Sequence, residues 1–524
     1  MIEKEQKKTT LIKNRGKSKK WLLLFLLLLL LSCKKTEYTL RIPIQTKPYT
    51  FDPIMSDEYF SNLVNRNIFD TLIKRERNEY VSILVDYWTN TSENFTRIKL
   101  KENIRFSDGS KLTADDIKKS LDRASNHPLS IYKDVIKLDS VVILDRYNLH
   151  IYHNNMDNII RFLCKVPIYR ANYLENFSEE YLKNKPLSTG PYYLYSNDIT
   201  QIVLKKNKLH VDYLNKKNIQ TPDNVILLIE PSLEVQYQMF KSREVDLLLD
   251  LPTSVYHQIT FKEDFASLVS VSNTFLYIMF DNNSQHGHGI NKSTNLFKDK
   301  RVRQAIIQAI DLNTFINITL MGKANKIAIP ALPSNKHYPH NMNTYDYNLN
   351  NSKLLLKEAG LIDGFEMILR VKDNQFTNLL ANYIKESLKV IDVIITIEIE
   401  NKMDFEQSLI DRPVSAYLSL YQADFFEDIK DAIYNLFYYS TTEKGSLNTY
   451  NNYDYQINTK LDSLLTLNES DRRMMGISRR LSSTIFNEMV VFPLINTFNY
   501  FLFNKENDFT YIDDLYFLNF RFGK

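Results

Sequence analysis

The apolar residues of this chain recur with helical spacing in some stretches and with strand spacing in others. Residues 295–311 show the helical spacing most clearly, with apolar side chains at i, i+3, i+4, i+7 and i+8. Asp299 can cap this helix, and Asp311 can cap a second helix that follows it. The pattern predicts a helix, a corner and another helix that serve packing alone. The predicted buried stripe is Val302, Ala305, Ile306, Ala309 and Ile310, and we expect Arg301, Gln304 and Gln308 to face water.

Two other stretches predict how helices and strands combine. Residues 98–117 predict a strand, a turn and a helix, in which Gly109 takes a positive φ and Thr113 caps the helix with Asp116 as its partner. Residues 366–399 predict a strand, a helix and a β-branched strand, which gives two parallel strands with a right-handed crossover. We therefore expect an α/β protein with mixed sheets and flanking helices.

The first 32 residues differ from the rest and predict an export signal. Eight basic residues precede an apolar run at 21–31, which at 11 residues is short for a membrane span but typical of a signal peptide. Cys33 follows at once in a Leu-Leu-Ser-Cys sequence that looks like a bacterial lipobox. We expect cleavage before Cys33 and lipid attachment to it, which would anchor the protein to a membrane. The alternative is a free thiol in a short membrane anchor.

Composition and charge narrow the class of protein further. A chain of 524 residues is too long for one core, so we expect two or three domains. Loss of residues 1–32 removes eight of 66 basic and two of 62 acidic residues, leaving 58 against 60 and no basic nucleic-acid footprint. The second cysteine, Cys164, lies in an apolar run, so we expect a buried thiol and no disulfide within the mature chain.

Several sequence motifs resemble one known family. They include FKDKRVRQAIIQAID at 297–311, FSDGSKLTADD at 106–116 and LLLKEAGLIDGF at 354–365. Together they resemble the extracellular solute-binding proteins of family 5, which include the oligopeptide-, dipeptide- and nickel-binding proteins of ABC transporters. The resemblance follows the family order along essentially the whole mature chain.

This resemblance implies a particular architecture. It is the two-lobed periplasmic-binding-protein fold, type II-like, of the large peptide-binding class with an extra subdomain. The implied division gives lobe I residues 33–75, 186–290 and 490–524, the extra subdomain residues 76–185, and lobe II residues 291–489. A ligand would be enclosed by hinge closure between the lobes.

The resemblance also implies a function. The chain would be a membrane-anchored substrate-binding lipoprotein of an ABC importer, which captures oligopeptides or dipeptides and delivers them to permease subunits. It would be a monomer facing the periplasm or exterior, without a cofactor, a metal or a nucleic-acid partner. The alternatives are the same fold binding another solute, such as a nickel chelate or an oligosaccharide, and a sensor or adhesin lipoprotein without transport.

The motif YQADFFED at 421–428 resembles the family's ligand-binding segment. The resemblance implies that Asp424 pairs with the α-ammonium of a peptide, among the aromatic residues Tyr421 and Phe425. The alternative role for Asp424 is a helix cap. Asn448 and Tyr450 belong to a cluster of amides and phenols that could line the cleft or form a surface loop.

Enzymatic motifs are missing from the sequence. It holds no G-x-S-x-G, P-loop, H-E-x-x-H or paired-cysteine motif, so we expect no enzymatic activity. His286 and His288 lie in a predicted loop without other metal ligands, which favours a solvated loop over a metal site. Three positions depart from the family pattern, namely His210, Arg243 and Ile429, and they leave the sensor or adhesin role open.

Overall fold

The structure is a computed structural model that describes most of the chain after the predicted export signal. Cys33 and residues 1–32 lie outside the described residues. No helix among the described residues is long and apolar enough to cross a membrane. The structure describes residues 37–523 except 57, 77–78, 91–94, 134–137, 154–155, 211–220, 250, 252–264, 336, 402–403, 424–428, 442–443, 468–470 and 511–516.

The described chain combines strands and helices throughout, as the α/β expectation requires. The strands are β1 (Thr39–Ile44), β2 (Ile73–Glu76), β3 (Glu79–Ser82), β4 (Val85–Asn90), β5 (Phe95–Leu100), β6 (Leu138–Ile143), β7 (Asn148–His153), β8 (Tyr192–Asn197), β9 (Gln201–Lys206), β10 (Asn224–Ile229), β11 (Leu247–Leu248), β12 (Phe265–Phe280), β13 (Asn325–Lys326), β14 (Phe365–Lys372), β15 (Val393–Glu400), β16 (Ala416–Gln422), β17 (Val491–Asn504), β18 (Asp508–Phe509) and β19 (Phe520–Arg521).

The helices lie between these strands and on their faces. They are α1 (Tyr59–Ile68), α2 (Ala114–Asn126), α3 (Met156–Lys165), α4 (Ala171–Asn176), α5 (Glu179–Asn184), α6 (Leu233–Lys241), α7 (Lys300–Gln308), α8 (Leu312–Thr314), α9 (Leu349–Glu358), α10 (Gln375–Leu388), α11 (Phe405–Asp411), α12 (Ile429–Phe437), α13 (Tyr455–Leu465) and α14 (Met474–Glu488), with short 3-10 turns at Leu296–Lys298, Lys389–Ile391 and Phe517–Asn519 and a π-turn at Phe315–Thr319.

Lobe I is built around a four-stranded sheet in the order β1-β10-β9-β8. Strand β1 pairs with β10 in parallel, and Ile42 lies opposite Leu227 with both side chains fully buried. The predicted extra subdomain adds the sheet β4-β5-β7-β6. Its core is continuous with that of the lobe I sheet, because residues such as Phe106 and Leu149 belong to the same buried cluster as Ile42.

The predicted turn and capped helix at 98–117 are confirmed. Gly109 has a φ of +88°, and α2 begins directly after Thr113. The Asp116 carboxylate accepts hydrogen bonds from the Thr113 backbone N–H at 2.7 Å and its hydroxyl at 2.8 Å. It also accepts the backbone N–H of Ala171 at 2.8 Å, so one side chain ties α2 to α4.

A second sheet has seven strands in the order β11-β17-β12-β16-β14-β15, and β13 pairs with β17. It combines strands of the predicted lobe II with β11, β12 and β17, which lie in stretches predicted for lobe I. We use lobe II for this sheet and the helices packed on it. The predicted strand-helix-strand unit is confirmed as β14, α10 and β15. Phe365 pairs with Val393 and Lys372 with Glu400, in parallel register over all eight residues. The antiparallel pairs of β12 with β16 and β17 complete a mixed sheet.

The predicted helix at 295–311 is confirmed, and its predicted apolar stripe is buried. The Asp299 carboxylate accepts the Arg301 backbone N–H at the start of α7, and Asp311 caps α8 through the Thr314 N–H. Arg301 is exposed, whereas Gln304 and Gln308 are only partly so. The predicted second helix is short, because α8 passes into a π-turn after one turn.

The buried Arg303 was not anticipated from the helical pattern. Its guanidinium donates hydrogen bonds to the carbonyl oxygens of Phe297 at 2.5 Å and Glu488 at 2.6 Å. Glu488 is the last residue of α14, whose final carbonyl groups lack partners within the helix. Arg303 therefore joins the end of one helix to the start of another inside lobe II.

Two departures from the family pattern have local structural explanations. Arg243 stands where the family commonly has glycine, and its φ of +63° is the left-handed conformation that glycine adopts without strain. The buried His210 lies with its Nε2 3.3 Å from a carboxylate oxygen of Asp70, which is also buried for the most part. The third departure, Ile429, is fully buried in α12.

The prediction that Cys164, in α3, is buried is also confirmed. Gly360 follows α9 with a φ of +75°, the left-handed conformation expected at a helix end.

Candidate functional site

Two long strands pass from lobe I into lobe II side by side. The first half of β12 and the last half of β17 contact the lobe I core, through residues such as Leu268 and Phe501. The other halves lie in the lobe II cores, where Ile278 and Leu494 are buried. The antiparallel register between the strands shifts between Val271 and Phe275, where they leave one core for the other. This strand crossing joins the two lobes.

Polar side chains hold the bulge in β12 at the strand crossing. The Asn496 Nδ2 donates to the carbonyl oxygens of Ser272 at 3.0 Å and Thr274 at 2.7 Å. The hydroxyls of Ser272 and Thr497 lie 2.8 Å apart and share a hydrogen bond. The bulge of residues 272–274 is therefore a defined structure, although it interrupts the ladder between the strands.

A cavity of about 290 Å³ opens at the strand crossing, between α1 of lobe I and the sheet of lobe II. This volume is near the lower end of the ~300–1,000 Å³ typical of small-molecule sites. It therefore suits a short solute. The lining consists of Tyr59, Asn62, Leu63, Arg66, Leu251, Ser272, Asn273, Thr274, Leu276, Asn374, Gln375, Phe376, Leu420, Gln422, Thr497, Phe498, Asn499, Tyr500 and Phe501.

The lining is polar but mostly uncharged. Six of its side chains are amides and five carry hydroxyl groups, while Arg66 is the one charged side chain among the described lining residues. Arg66 projects from α1 on the same face as Tyr59 and Asn62, since the three stand at i, i+3 and i+7. Amides can both donate and accept hydrogen bonds, so these walls can pair with a solute that carries both kinds of group.

The N-terminus of α10 lies at the same cavity as Arg66. Asn374 caps this 14-residue helix by accepting the Phe376 backbone N–H at 2.9 Å, and the lining includes Asn374, Gln375 and Phe376. A helix N-terminus carries a partial positive charge. The cavity thus has two features, one from each lobe, that favour an anionic group.

The bulge also contacts the segment that leads to the predicted ligand-binding aspartate. The Asn273 side chain donates to the Ala423 carbonyl oxygen at 2.8 Å, and the Ala423 N–H donates to the Asn273 carbonyl oxygen at 2.8 Å. Ala423 immediately precedes Asp424 in the sequence. Asp424 and Phe425 lie outside the described residues, so their predicted ligand-binding roles remain predictions.

Tyr421 does not line this cavity, although its neighbours do. It is buried, its ring stacks on Phe275 with centroids 4.9 Å apart, and its hydroxyl accepts a hydrogen bond from the Asn435 side chain at 3.1 Å. Successive strand residues face opposite sides of the sheet, so Leu420 and Gln422 face the cavity instead. A ligand contact by Tyr421 remains a prediction, and its observed contacts support the wall behind the cavity.

Asn448 and Tyr450 are not among the lining residues of the cavity. Asn448 is fully buried, and its Nδ2 contacts the carbonyl oxygens of Phe437, Tyr438 and Asn452. The Tyr450 hydroxyl donates to the Val414 carbonyl oxygen at 2.7 Å, and burial raises the pKa of this phenol well above its usual value. Both residues hold the 448–452 loop, and their ligand-binding roles remain predictions.

The residues overlooked from the sequence share a recognisable signal. Polar runs interrupt two long apolar strands, as Ser-Asn-Thr at 272–274 in β12 and Asn-Thr at 496–497 in β17. Both runs lie at the strand crossing, and four of these five residues line the cavity. Among the described residues, no group of three or more His, Cys, Asp or Glu side chains could hold a metal ion.

Two lobes joined by paired strands, with a cavity at their junction, define the class of solute-binding proteins with a periplasmic-binding fold. The sequence agrees, since the profile described as "Bacterial extracellular solute-binding proteins, family 5 Middle" matches residues 79–445. The chain belongs to this family.

Individual relatives are distant in sequence. The oligopeptide-binding protein AppA of Bacillus subtilis is 24% identical over 326 residues, which is 56% of this chain and 56% of AppA. The glutathione-binding protein GsiB of Escherichia coli K12 is 23% identical over 354 residues, or 66% of each chain. The matched regions thus span between half and two thirds of the relatives' own length.

Solved structures agree with the fold over nearly the whole chain. AppA from Bacillus subtilis in complex with a nonapeptide has a TM-score of 0.72 at 19% identity, covering 94% of this chain and all of that one. NikZ from Campylobacter jejuni in complex with Ni(L-His) has a TM-score of 0.75 at 18% identity, covering 93% of this chain and all of that one. At these identities the similarity establishes the fold.

Proposed function

We propose that this solute-binding protein captures short peptides between its lobes and delivers them to the permease of an ABC importer. The observation that carries the proposal is the amide-lined cavity of about 290 Å³ at the strand crossing. A peptide presents alternating N–H and C=O groups, which amide and hydroxyl side chains can satisfy directly or through water. The names of AppA and GsiB, an oligopeptide- and a glutathione-binding protein, support this ligand class.

The charges expected at the cavity suit the two ends of a peptide. Asp424 follows directly on the segment that Asn273 holds, and we assign it the α-ammonium group. Arg66 and the N-terminus of α10 are assigned the terminal carboxylate. Charge-assisted hydrogen bonds of this kind contribute about 1.5–3 kcal/mol each. Because Arg66 belongs to lobe I and α10 to lobe II, a carboxylate held by both would favour the closed arrangement.

We further propose that lipid chains on Cys33 anchor the protein to a membrane, facing the periplasm or exterior. The sequence supports this, because Cys33 directly follows the signal-like apolar run at 21–31. A lipid anchor would keep the folded chain, as a monomer, close to its permease. Metabolic labelling with a radioactive fatty acid tests the anchor: wild type takes up label, and Cys33→Ala does not.

Native mass spectrometry tests the ligand class. The full chain, purified from membranes in a mild detergent without dialysis, is expected to carry adducts with the masses of peptides of two to a few residues. Added trialanine should displace them. A nickel-containing or carbohydrate adduct that trialanine does not displace would contradict the peptide proposal and leave solute binding in place.

A further inference from the structure

We propose that Asn496 is a positioning residue for the ligand site, which it controls through the bulge in β12. Its amide fixes the bulge of residues 272–274, and the bulge holds Ala423. Ala423 directly precedes Asp424, to which the proposed function assigns the peptide ammonium. The ligand part of this inference rests on the proposed function, whereas the structural part does not. The role is separate from direct ligand contact, because Asn496 is not among the lining residues.

The first step is the contact of Asn496 with the bulge. Asn496 is fully buried, and one nitrogen atom spans the bulge by donating to Ser272 O and Thr274 O, at 3.0 and 2.7 Å. The Asn496 Oδ1 has no hydrogen-bond partner in the described part of the chain. A buried oxygen without a hydrogen-bond partner destabilises the folded state. We therefore attribute the presence of asparagine at position 496 to the two hydrogen bonds that its nitrogen donates.

The second step is the internal order of the bulge. The Ser272 hydroxyl accepts the Thr274 backbone N–H at 3.1 Å and contacts the Thr497 hydroxyl at 2.8 Å. Thr497 is the neighbour of Asn496 on β17. The bulge is therefore fastened to β17 by two adjacent residues, and Asn273 at its centre has little freedom to move.

The third step leads from the bulge to the ligand segment. Asn273 forms two hydrogen bonds with Ala423, one from its side chain and one to its backbone, both of 2.8 Å. These bonds extend the pairing of β12 with β16 beyond Thr274 and Gln422, the last residues of the ladder. A shift of the bulge would consequently move the start of the segment that contains Asp424.

The location makes this contact functional as well as structural. The strands change from the lobe I core to the lobe II cores at this bulge, so opening and closing of the lobes must be accommodated here. Asn496 thereby couples the strand crossing to the ligand segment. Removal of its amide is expected to loosen Ala423 even in the absence of ligand.

Asn295 provides a matched control for Asn496. It is also a buried asparagine, and its Nδ2 also donates to two carbonyl oxygens, those of Asp281 at 2.8 Å and Ser284 at 3.2 Å. It lies within lobe II and does not line the cavity. The Asn295 Oδ1 also accepts the Phe297 backbone N–H at 3.1 Å, so Asn295→Ala should lower the melting temperature at least as much as Asn496→Ala. Faster exchange at Ala423 in Asn496→Ala alone would therefore reflect the location of Asn496 and not a general loss of stability.

The experiment compares full-length wild type, Asn496→Ala and Asn295→Ala by hydrogen-exchange mass spectrometry and by titration with trialanine. In Asn496→Ala we expect about tenfold faster exchange in the fragment containing the Ala423 amide and about tenfold weaker trialanine binding. In Asn295→Ala both quantities should remain within about twofold of wild type. Equal exchange at Ala423 in the two variants would overturn the proposal.

Hydrogen exchange tests the role of Asn496, and the trialanine titration tests the proposed function as well. If wild type binds no trialanine, the peptide proposal fails, and the exchange arm still decides the role of Asn496. If Ala423 loosens but trialanine affinity is unchanged, Asn496 is not a positioning residue for the ligand. If Asn496→Ala does not fold, Asn496→Ser keeps one donor and should show the same effects in weaker form.

Discussion

The helix segment 295–311 and the strand crossing at 272–274 and 496–499 both carry polar residues, but they use them differently. In the helix segment, the side chains of Asp299, Arg303 and Asp311 bond to backbone groups within lobe II. At the strand crossing, most of the polar residues line a cavity between the lobes. The helix segment, which has the clearest family resemblance, therefore stabilises the fold. The candidate ligand site lies elsewhere, where polar residues interrupt two apolar strands.

The largest expected effect lies in the helix segment and concerns folding alone. Replacement of the buried Arg303 by Met leaves the carbonyl oxygens of Phe297 and Glu488 without their donor. We expect the free energy of unfolding to fall by about 3 kcal/mol or more, with unchanged trialanine affinity. Urea denaturation and calorimetric titration measure the two quantities. A large loss of trialanine affinity in folded Arg303→Met would contradict the separation between the helix segment and the ligand site.

The next effect tests the segment beyond the strand crossing. Asp424→Asn removes the charge assigned to the peptide ammonium, so trialanine should bind about 10- to 100-fold more weakly. N-acetyl-trialanine lacks the ammonium group and should bind both proteins alike. Calorimetric titration of the two peptides measures the difference. Equal losses for both peptides would contradict the assignment of Asp424.

A somewhat smaller effect is expected at the opposite end of the peptide. Arg66→Gln should weaken trialanine binding about tenfold while changing the affinity for C-terminally amidated trialanine little, because only the former has a carboxylate. Arg301 is an exposed arginine away from the cavity, so Arg301→Gln serves as the control. If the amidated peptide loses as much affinity as the free one, Arg66 does not bind the carboxylate.

The smallest effect returns to the helix segment and depends on pH. Hydrogen bonds from the side chain and backbone of Arg301 lower the pKa of the Asp299 carboxyl. Its charge therefore stabilises the folded state above the ordinary pKa of about 3.9, and this stabilisation is lost as the pH falls through the lowered value. Asp299→Asn should cost about 0.3–1 kcal/mol at pH 7.

Urea denaturation of wild type and Asp299→Asn at several pH values measures this difference. The two proteins should converge in free energy of unfolding as the pH falls below the lowered pKa of Asp299, and trialanine affinity at pH 7 should be the same for both. A difference in stability that grows toward acid pH would contradict a stabilising charge on Asp299.

The parts of the fold that could be predicted from sequence are those fixed by neighbours along the chain. Caps such as Thr113 with Asp116, and the apolar stripe of α7, involve residues within a few positions of one another. The left-handed Gly109 belongs to the same class, because a tight turn requires it locally. Helix caps, apolar stripes and tight turns each depend on a short stretch of sequence, so that stretch alone is enough to predict them.

The lining of the cavity could not be found in this way. It depends on the register between β12 and β17, which places Asn496 beside Ser272 although 224 residues separate them. Tyr421 illustrates the difficulty, since a one-residue alternation decides that Gln422 and not Tyr421 faces the cavity. Asn448 illustrates another, because a polar side chain in a cluster can be fully occupied by backbone carbonyl groups.

Small-angle X-ray scattering of the full chain in detergent-matched solvent tests the central claim most directly. If a short peptide is enclosed at the strand crossing, saturating trialanine should reduce the radius of gyration as the lobes close, and Asp424→Asn should require a higher trialanine concentration for the same change. Superimposable scattering curves with and without trialanine, at a concentration where calorimetry shows the site to be occupied, would contradict the account.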